Sequence, residues 1–175
     1  MTNQQIVIIG FMGTGKTTVA HALGRQLNCL AVDLDELITR REGRSPNEII
    51  DQDGEDRFRG VETQLLREVL REDPSRVIAV GGGAWTIAAN RQLIAEHGAF
   101  TVWLDAPFEL CWKRIEASAE VRPLARSREL AEGLYSERRP LYELAGARIA
   151  VFEGESAAEV VTKVLDAIPQ LQQRA

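Results

Sequence analysis

The stretch Gly10-Phe11-Met12-Gly13-Thr14-Gly15-Lys16-Thr17 fits GxxxxGK[ST] and directly follows the apolar run Ile6-Val7-Ile8-Ile9. A buried strand that ends at Gly10, a turn loosened by three glycines and a helix from about Lys16 form the setting that gives this pattern its chemistry. The glycines let the backbone curl until its amides face inward, and the helix start adds the positive end of its dipole. A phosphate-shaped anion fits there. Lys16 can follow charge onto the β- and γ-phosphates of a bound nucleotide, and the Thr17 hydroxyl stands where Mg²⁺ bridging those phosphates would sit. The competing reading is an ordinary glycine-rich turn, and the strand before, the helix after and the Lys-Thr pair weigh against it.

Working outward, the 175 residues, 45% of them hydrophobic, suffice for one well-buried domain and are short for two. The balance of 21 Lys+Arg against 26 Asp+Glu, a net −5, argues against nucleic acid or an anionic membrane as the main partner. An anionic substrate must therefore meet a local basic cluster. Cys29 and Cys111 stand in apolar surroundings without a CxxC pattern, which predicts buried free thiols in a reducing compartment, by default the cytoplasm. No basic leader and no apolar run of about 20 residues is present, so no membrane segment is expected.

Val19, Leu23 and Leu27 recur at helical spacing, giving a first helix that ends near Asn28. Leu30-Ala31-Val32 reads as a second strand with Asp33-Leu34-Asp35 at its carboxyl end, the edge where open parallel sheets bind ligands. A helix is expected over Glu36 to Glu42. Ser45-Pro46 with Glu48 then forms a capping box, and a long amphipathic helix runs from Gly54. Val77 to Val80 is a third strand ending in Gly81-Gly82-Gly83, Phe100 to Leu104 a fourth, and Ile149 to Phe152 a fifth. Residues 118–127 lose apolar periodicity and hold Arg122, Pro123 and Arg126, a mobile loop undocked from the core. The tail after Pro169 is expected to be loosely held. Strands separated by helices imply an α/β fold with a parallel sheet covered on both faces.

Several blocks carry possible chemistry. Asp33 and Asp35 alternate at a strand end, so one can face the phosphate loop and the other an acceptor, although either can also cap the following helix. Arg59 and Glu62 lie one turn apart on a helix. A planar guanidinium can hold a carboxylate by two parallel hydrogen bonds. The triple glycine stands where many phosphate-loop enzymes carry an aspartate, and it admits a close ligand approach.

Joined in order, the loop, Asp33-Leu34-Asp35, Gly54-Glu55 through Phe58-Arg59 and Glu62, Gly81-Gly82-Gly83, Arg122-Pro123-Leu124 and Arg138-Arg139-Pro140-Leu141-Tyr142 resemble shikimate kinase over about residues 5–150. The resemblance implies one P-loop kinase domain over 1–175, with a sheet of strand order 2-3-1-4-5, an acceptor region over about 34–62 and a lid over about 118–127. It implies transfer of the ATP γ-phosphoryl group to the 3-hydroxyl of shikimate, with Mg²⁺ and no nucleic-acid or membrane partner, by what is expected to be a monomer. On it, ATP meets Gly13, Thr14, Gly15, Lys16, Thr17, Thr18, Arg114 and Arg122. Thr17 and Asp33 take the metal side, Asp35 the reacting hydroxyl, and Arg59, Arg138 and Gly81 to Gly83 the acceptor. Lys16, Asp35 and Arg122 are the expected catalytic groups, and Glu62 holds Arg59 in place. Arg57 and Arg139 have no matching role and are read as solvated. Trp85 is a possible acceptor contact, whereas Trp103 and Trp112 fit the core. Two departures stand out: Ile50 replaces an aromatic residue beside the acceptor, and Glu153-Gly154-Glu155 replaces a basic residue near the nucleotide. A gluconate-type kinase and a non-catalytic binding relative are the alternatives.

Overall fold

In the structure, a computed structural model, residues 4–72, 77–118 and 123–168 are described. Five parallel strands, β1 (Ile6–Ile9), β2 (Ala31–Asp33), β3 (Val77–Ala79), β4 (Phe100–Asp105) and β5 (Ala147–Ala150), form one sheet in the order β2-β3-β1-β4-β5. The burial of β1 on both faces follows from its composition. All four of its residues are apolar and buried, and it pairs on one side with β3 and on the other with β4, Ile8 standing opposite Ala79 and Val102. Only a doubly covered strand can be apolar on both faces.

The crossovers supply that cover. Helix α1 (Lys16–Gln26) packs with α8 (Ala157–Ala167) on one face. The crossovers that run the other way along the sheet, α4 (Glu55–Glu72), α5 (Ala88–Glu96), α6 (Phe108–Ala117) and α7 (Arg128–Tyr142), belong on the opposite face by right-handed connection. Two shorter helices, α2 (Leu34–Glu42) and α3 (Pro46–Asp53), stand between β2 and α4 and pack on α4. The capping box of α3 is formed as expected: the Ser45 hydroxyl accepts from Glu48 N at 3.3 Å and Glu48 accepts from Ser45 N at 2.7 Å.

Some boundaries differ from the sequence reading. Helix α2 starts at Leu34 rather than Glu36, because Asp33 itself is the cap. Strand β5 starts and ends two residues earlier than the apolar run suggests. Being an edge strand, it takes its register from β4, with Ala147 opposite Val102 and Ala150 opposite Asp105, and leaves Phe152 beyond the pairing and exposed. Cys29 and Cys111 form no disulfide among the described residues; Cys111 is buried and Cys29 only half-buried. Pro123–Ala125 form a 3₁₀ turn, Ala125 is buried and Arg126 pairs with Asp51 of α3 at 2.9 Å. That end of the 118–127 segment is thus docked, a single small side chain sufficing where no apolar stripe exists. The tail from residue 169 lies outside the described residues. Among the described residues no helix is long and apolar enough to cross a membrane.

Candidate active site

All the predicted groups that are described gather along the carboxyl ends of β1, β2 and β3, the edge where a parallel sheet opens a crevice. Gly10 (φ 146°) and Gly13 (φ 80°) take backbone conformations closed to other residues. Space is equally restrictive, since a Cβ on Gly10 would lie 2.7 Å from Leu104 O and one on Gly13 2.7 Å from Cys111 O. The loop is therefore pressed against β4 and α6 with no room for side chains. Its buried Thr14 closes the turn by donating to Phe11 O at 2.9 Å, and Lys16 Nζ donates to the same carbonyl at 2.9 Å.

Beside the loop a cavity of about 390 Å³ is lined by Gly13, Gly15, Lys16, Thr17, Thr18, Asp33, Asp35 and Arg114, among others. A second, of about 240 Å³, runs from Thr14, Gly15, Thr18 and Arg114 towards Val151, Glu155 and Ala157. Arg114 belongs to both walls and donates to Gly13 O at 3.0 Å. Glu155 in the second wall is already paired with Lys163 and accepts from Phe152 N, while Glu153 pairs with Lys113 at 2.5 Å. The acidic departure is thus neutralised by lysines from elsewhere in the chain.

Asp33 has two tasks at once. Its Oδ1 accepts from Asp35 N and Glu36 N, capping α2, while Oδ2 accepts the Thr17 hydroxyl at 2.5 Å. The capping and ligand readings of this residue are therefore compatible, one oxygen for each. Two hard oxygen donors facing the phosphate cavity suit Mg²⁺, which takes few protein ligands and keeps phosphate and water oxygens around it. No group of three or more potential metal-binding His, Cys, Asp or Glu occurs among the described residues.

The acceptor side is built around the three glycines that follow β3. A Cβ on Gly81 would lie 2.8 Å from Glu62 Oε1 and 3.4 Å from Asp35 Oδ1. On Gly82 it would lie 3.2 Å from the Tyr142 hydroxyl and 3.5 Å from Arg138 Nη1, and on Gly83 2.6 Å from Arg59 Cζ. Each missing side chain leaves the space that a polar group occupies. Three helices deliver these groups: α2 brings Asp35, α4 brings Arg59 and Glu62, and α7 brings Arg138 and Tyr142. Ile50 of α3 is half-buried and packs against the hydrophobic core.

Electrostatics bind this cluster together. Arg59, 17% exposed, donates to Glu62 Oε2 at 2.8 Å and to Glu55 Oε1 at 2.9 Å. Burial works against its charge, but Glu62 and Glu55 more than offset this, and its pKa is raised. Glu62 is fully buried, and that burial pushes its carboxyl up to about 7 against the pull of Arg59, with the like charge of Asp35 adding to the rise. Its Oε1 has no hydrogen-bond partner among the described residues. Arg138 is buried, and Tyr142 beside it donates to Gly82 O at 2.7 Å, its own pKa raised chiefly by burial.

Other sequence readings need correcting or fall outside the described residues. Arg139 is not solvated: both its Nη atoms bind Asp105, at 2.6 and 3.0 Å, and its guanidinium lies 5.0 Å from the Trp103 ring centre. The partner is 34 positions away, so no local pattern signals it. Arg57 is exposed as read, facing Glu42 at 3.5 Å. Trp85 is buried and donates Nε1–H to Leu141 O at 2.7 Å, which makes it a tie between the glycine turn and α7 rather than an open acceptor wall. Trp103 is buried and Trp112 half-buried. Sequence reasoning quotes Tyr142 in its block without giving it a role, tyrosine near a helix end being ordinary, and misses Asp105, whose partners are remote in sequence. Arg122 lies outside the described residues.

The family model for shikimate kinase matches residues 12–169. A shikimate kinase of Cereibacter sphaeroides is 42% identical over 157 residues, covering 88% of this chain and 76% of that protein. One of Geobacter sulfurreducens is 41% identical, covering 92% and 88%. Among solved structures, shikimate kinase from Acinetobacter baumannii in complex with shikimate superposes with a TM-score of 0.86 at 34% identity, covering 93% of this chain and 91% of that one.

Proposed function

The chain belongs to the shikimate kinase family, and from that premise we propose that it transfers the γ-phosphoryl group of ATP to the 3-hydroxyl of shikimate. The observation that carries this reading is the convergence of Asp35, Arg59, Glu62 and Arg138 on Gly81 to Gly83, next to the phosphate cavity. An acceptor with a carboxylate and ring hydroxyls matches that set. Arg59 and Arg138 grip the carboxylate, and Glu62 holds the Arg59 fork in its plane.

ATP enters with its phosphates on the loop amides and Lys16, and its base along the cavity walled by Arg114 and Val151. Thr17 and Asp33 are the residues that would hold Mg²⁺, which offsets phosphate charge when bound. Asp35 lines the same cavity and faces the glycines, so its carboxylate can orient the acceptor hydroxyl and take its proton. The acceptor oxygen then bonds to the γ-phosphorus as the bond to the β–γ bridging oxygen breaks and ADP leaves. Arg122 is assigned to the transferring phosphoryl group on the family resemblance, as part of a lid over about 118–127. Every other group named comes from one chain, so a monomer suffices.

The test is ADP release with Mg-ATP against shikimate, quinate, gluconate and no acceptor. Shikimate-dependent turnover with negligible release from gluconate is expected. Equal release with and without shikimate would refute the assignment.

A further inference from the structure

Arg138 and Arg139 are neighbours on the last turns of α7, yet their side chains go to different places. Arg138 is buried beside Gly82 and Tyr142, and Arg139 reaches Asp105 at the carboxyl end of β4. What decides which of the two points into the acceptor site is the rotation of this helical turn about its axis. That turn is weakened by its own sequence. Pro140 lies within α7 and has no N–H for the carbonyl four residues back, so the helix lacks one rung beside the two arginines. Side-chain ties therefore carry more of its orientation.

Three such ties stand among the described residues. Trp85 donates to Leu141 O and Tyr142 donates to Gly82 O, each at 2.7 Å, and both hold residues that follow Pro140. The residue before it is held by the two-pronged Asp105–Arg139 pair at 2.6 and 3.0 Å. Asp105 is 8% exposed, so the pair is partly withdrawn from water. Trp103 stiffens it: the Arg139 and Arg148 guanidiniums lie 5.0 and 5.1 Å from its ring, and the Tyr142 ring lies 6.0 Å away. Arg148 reaches the same carboxylate from β5, at 2.5 Å.

We infer that Asp105 and Arg139 are positioning residues for acceptor binding: their ion pair fixes the rotation of the final turns of α7 and thereby aims Arg138 at the acceptor carboxylate. The inference rests on the assignment of Arg138 to that carboxylate. Arg148 shares the aspartate but belongs to β5, and its loss should leave α7 in place.

The experiment compares Arg139→Met, Arg139→Lys, Arg148→Met, Arg138→Ala and the double variant Arg138→Ala/Arg139→Met in steady-state assays, with melting curves confirming folded protein. Coupling between adjacent groups predicts a rise of about ten-fold in KM for shikimate in Arg139→Met, with KM for ATP unchanged. Arg139→Lys, which keeps the charge but not the fork, should show a smaller rise. Arg148→Met should bind shikimate as the parent does, and Arg139→Met should add nothing once Arg138 is alanine. A parent-like KM for shikimate in both Arg139 variants overturns the inference. So does an equal rise for both substrates, or a full effect of Arg139→Met in the Arg138→Ala background. Should Arg138→Ala itself bind shikimate normally, the assignment of Arg138 fails and the inference with it, whereas weak binding by Arg138→Ala beside normal binding by both Arg139 variants overturns the inference alone.

Discussion

Replacing Gly83 by alanine adds one carbon at the point where Arg59 crosses the glycine turn. The backbone there, φ −88° and ψ −22°, is open to alanine, so the change introduces no backbone strain. The new Cβ would stand 2.6 Å from Arg59 Cζ and 2.8 Å from Nη1, well inside contact distance. The guanidinium must withdraw by about 1 Å or more, and it can, being the far end of a flexible side chain. A displacement of that size in a positioning group costs on the order of 10²-fold, about 2.7 kcal/mol. Glu62, buried and paired with Arg59 at 2.8 Å, would lose part of its compensation and hold its proton more strongly. The expected phenotype is a KM for shikimate raised about 10²-fold, a KM for ATP within about two-fold of the parent, and a melting temperature lowered by only a few degrees. Initial-rate kinetics in both substrates with a thermal melt give all three numbers. An unchanged KM for shikimate would show that Arg59 does not grip the acceptor, and equal losses for both substrates would point to collapse of the whole turn after β3.

Three further outcomes follow from single features. Glu62 keeps its proton up to about pH 7 in the folded chain, against 4.5 in the unfolded, so the native state binds more protons between those values; its contribution is complete below pH 4.5 and lost as pH rises through 7. Urea unfolding at pH 5 and 7.5 should show the parent losing about 2 to 3 kcal/mol more over this interval than Glu62→Gln, and identical pH profiles would refute the raised value. Gly60 is exposed within α4 with no atom within 4 Å of an added Cβ, so Gly60→Ala should raise stability by about 0.5 to 1 kcal/mol at unchanged activity, a loss of stability being the contrary result. Lys16→Ala should lower kcat by more than about ten-fold, a loss above 1.4 kcal/mol, and retention of more than a tenth of parental kcat would exclude its phosphate role.

Local chemistry made the phosphate loop legible. Glycines at 10, 13 and 15, a preceding apolar tetrapeptide and a Lys-Thr pair constrain the backbone within a dozen residues, whereas the contact of Thr17 with Asp33, 16 positions on, is a matter of tertiary structure. The Arg59–Glu62 pair was legible for the same reason, one helical turn being enough to bring both to a single face. The strand order came from resemblance, since periodicity marks strands without saying which become neighbours. The triple glycine was read as room for a ligand, and in the structure polar side chains of the chain itself stand against it. Only the packing of α2, α4 and α7 around β3 assigns Glu62 and Asp35 to Gly81, Tyr142 and Arg138 to Gly82, and Arg59 to Gly83. The two adjacent arginines of α7 carry the same limit furthest. Side-chain type and spacing leave Arg138 and Arg139 equivalent, and their roles separate because Asp105, 34 residues away on β4, captures one guanidinium and thereby sets the angle at which the helix presents the other.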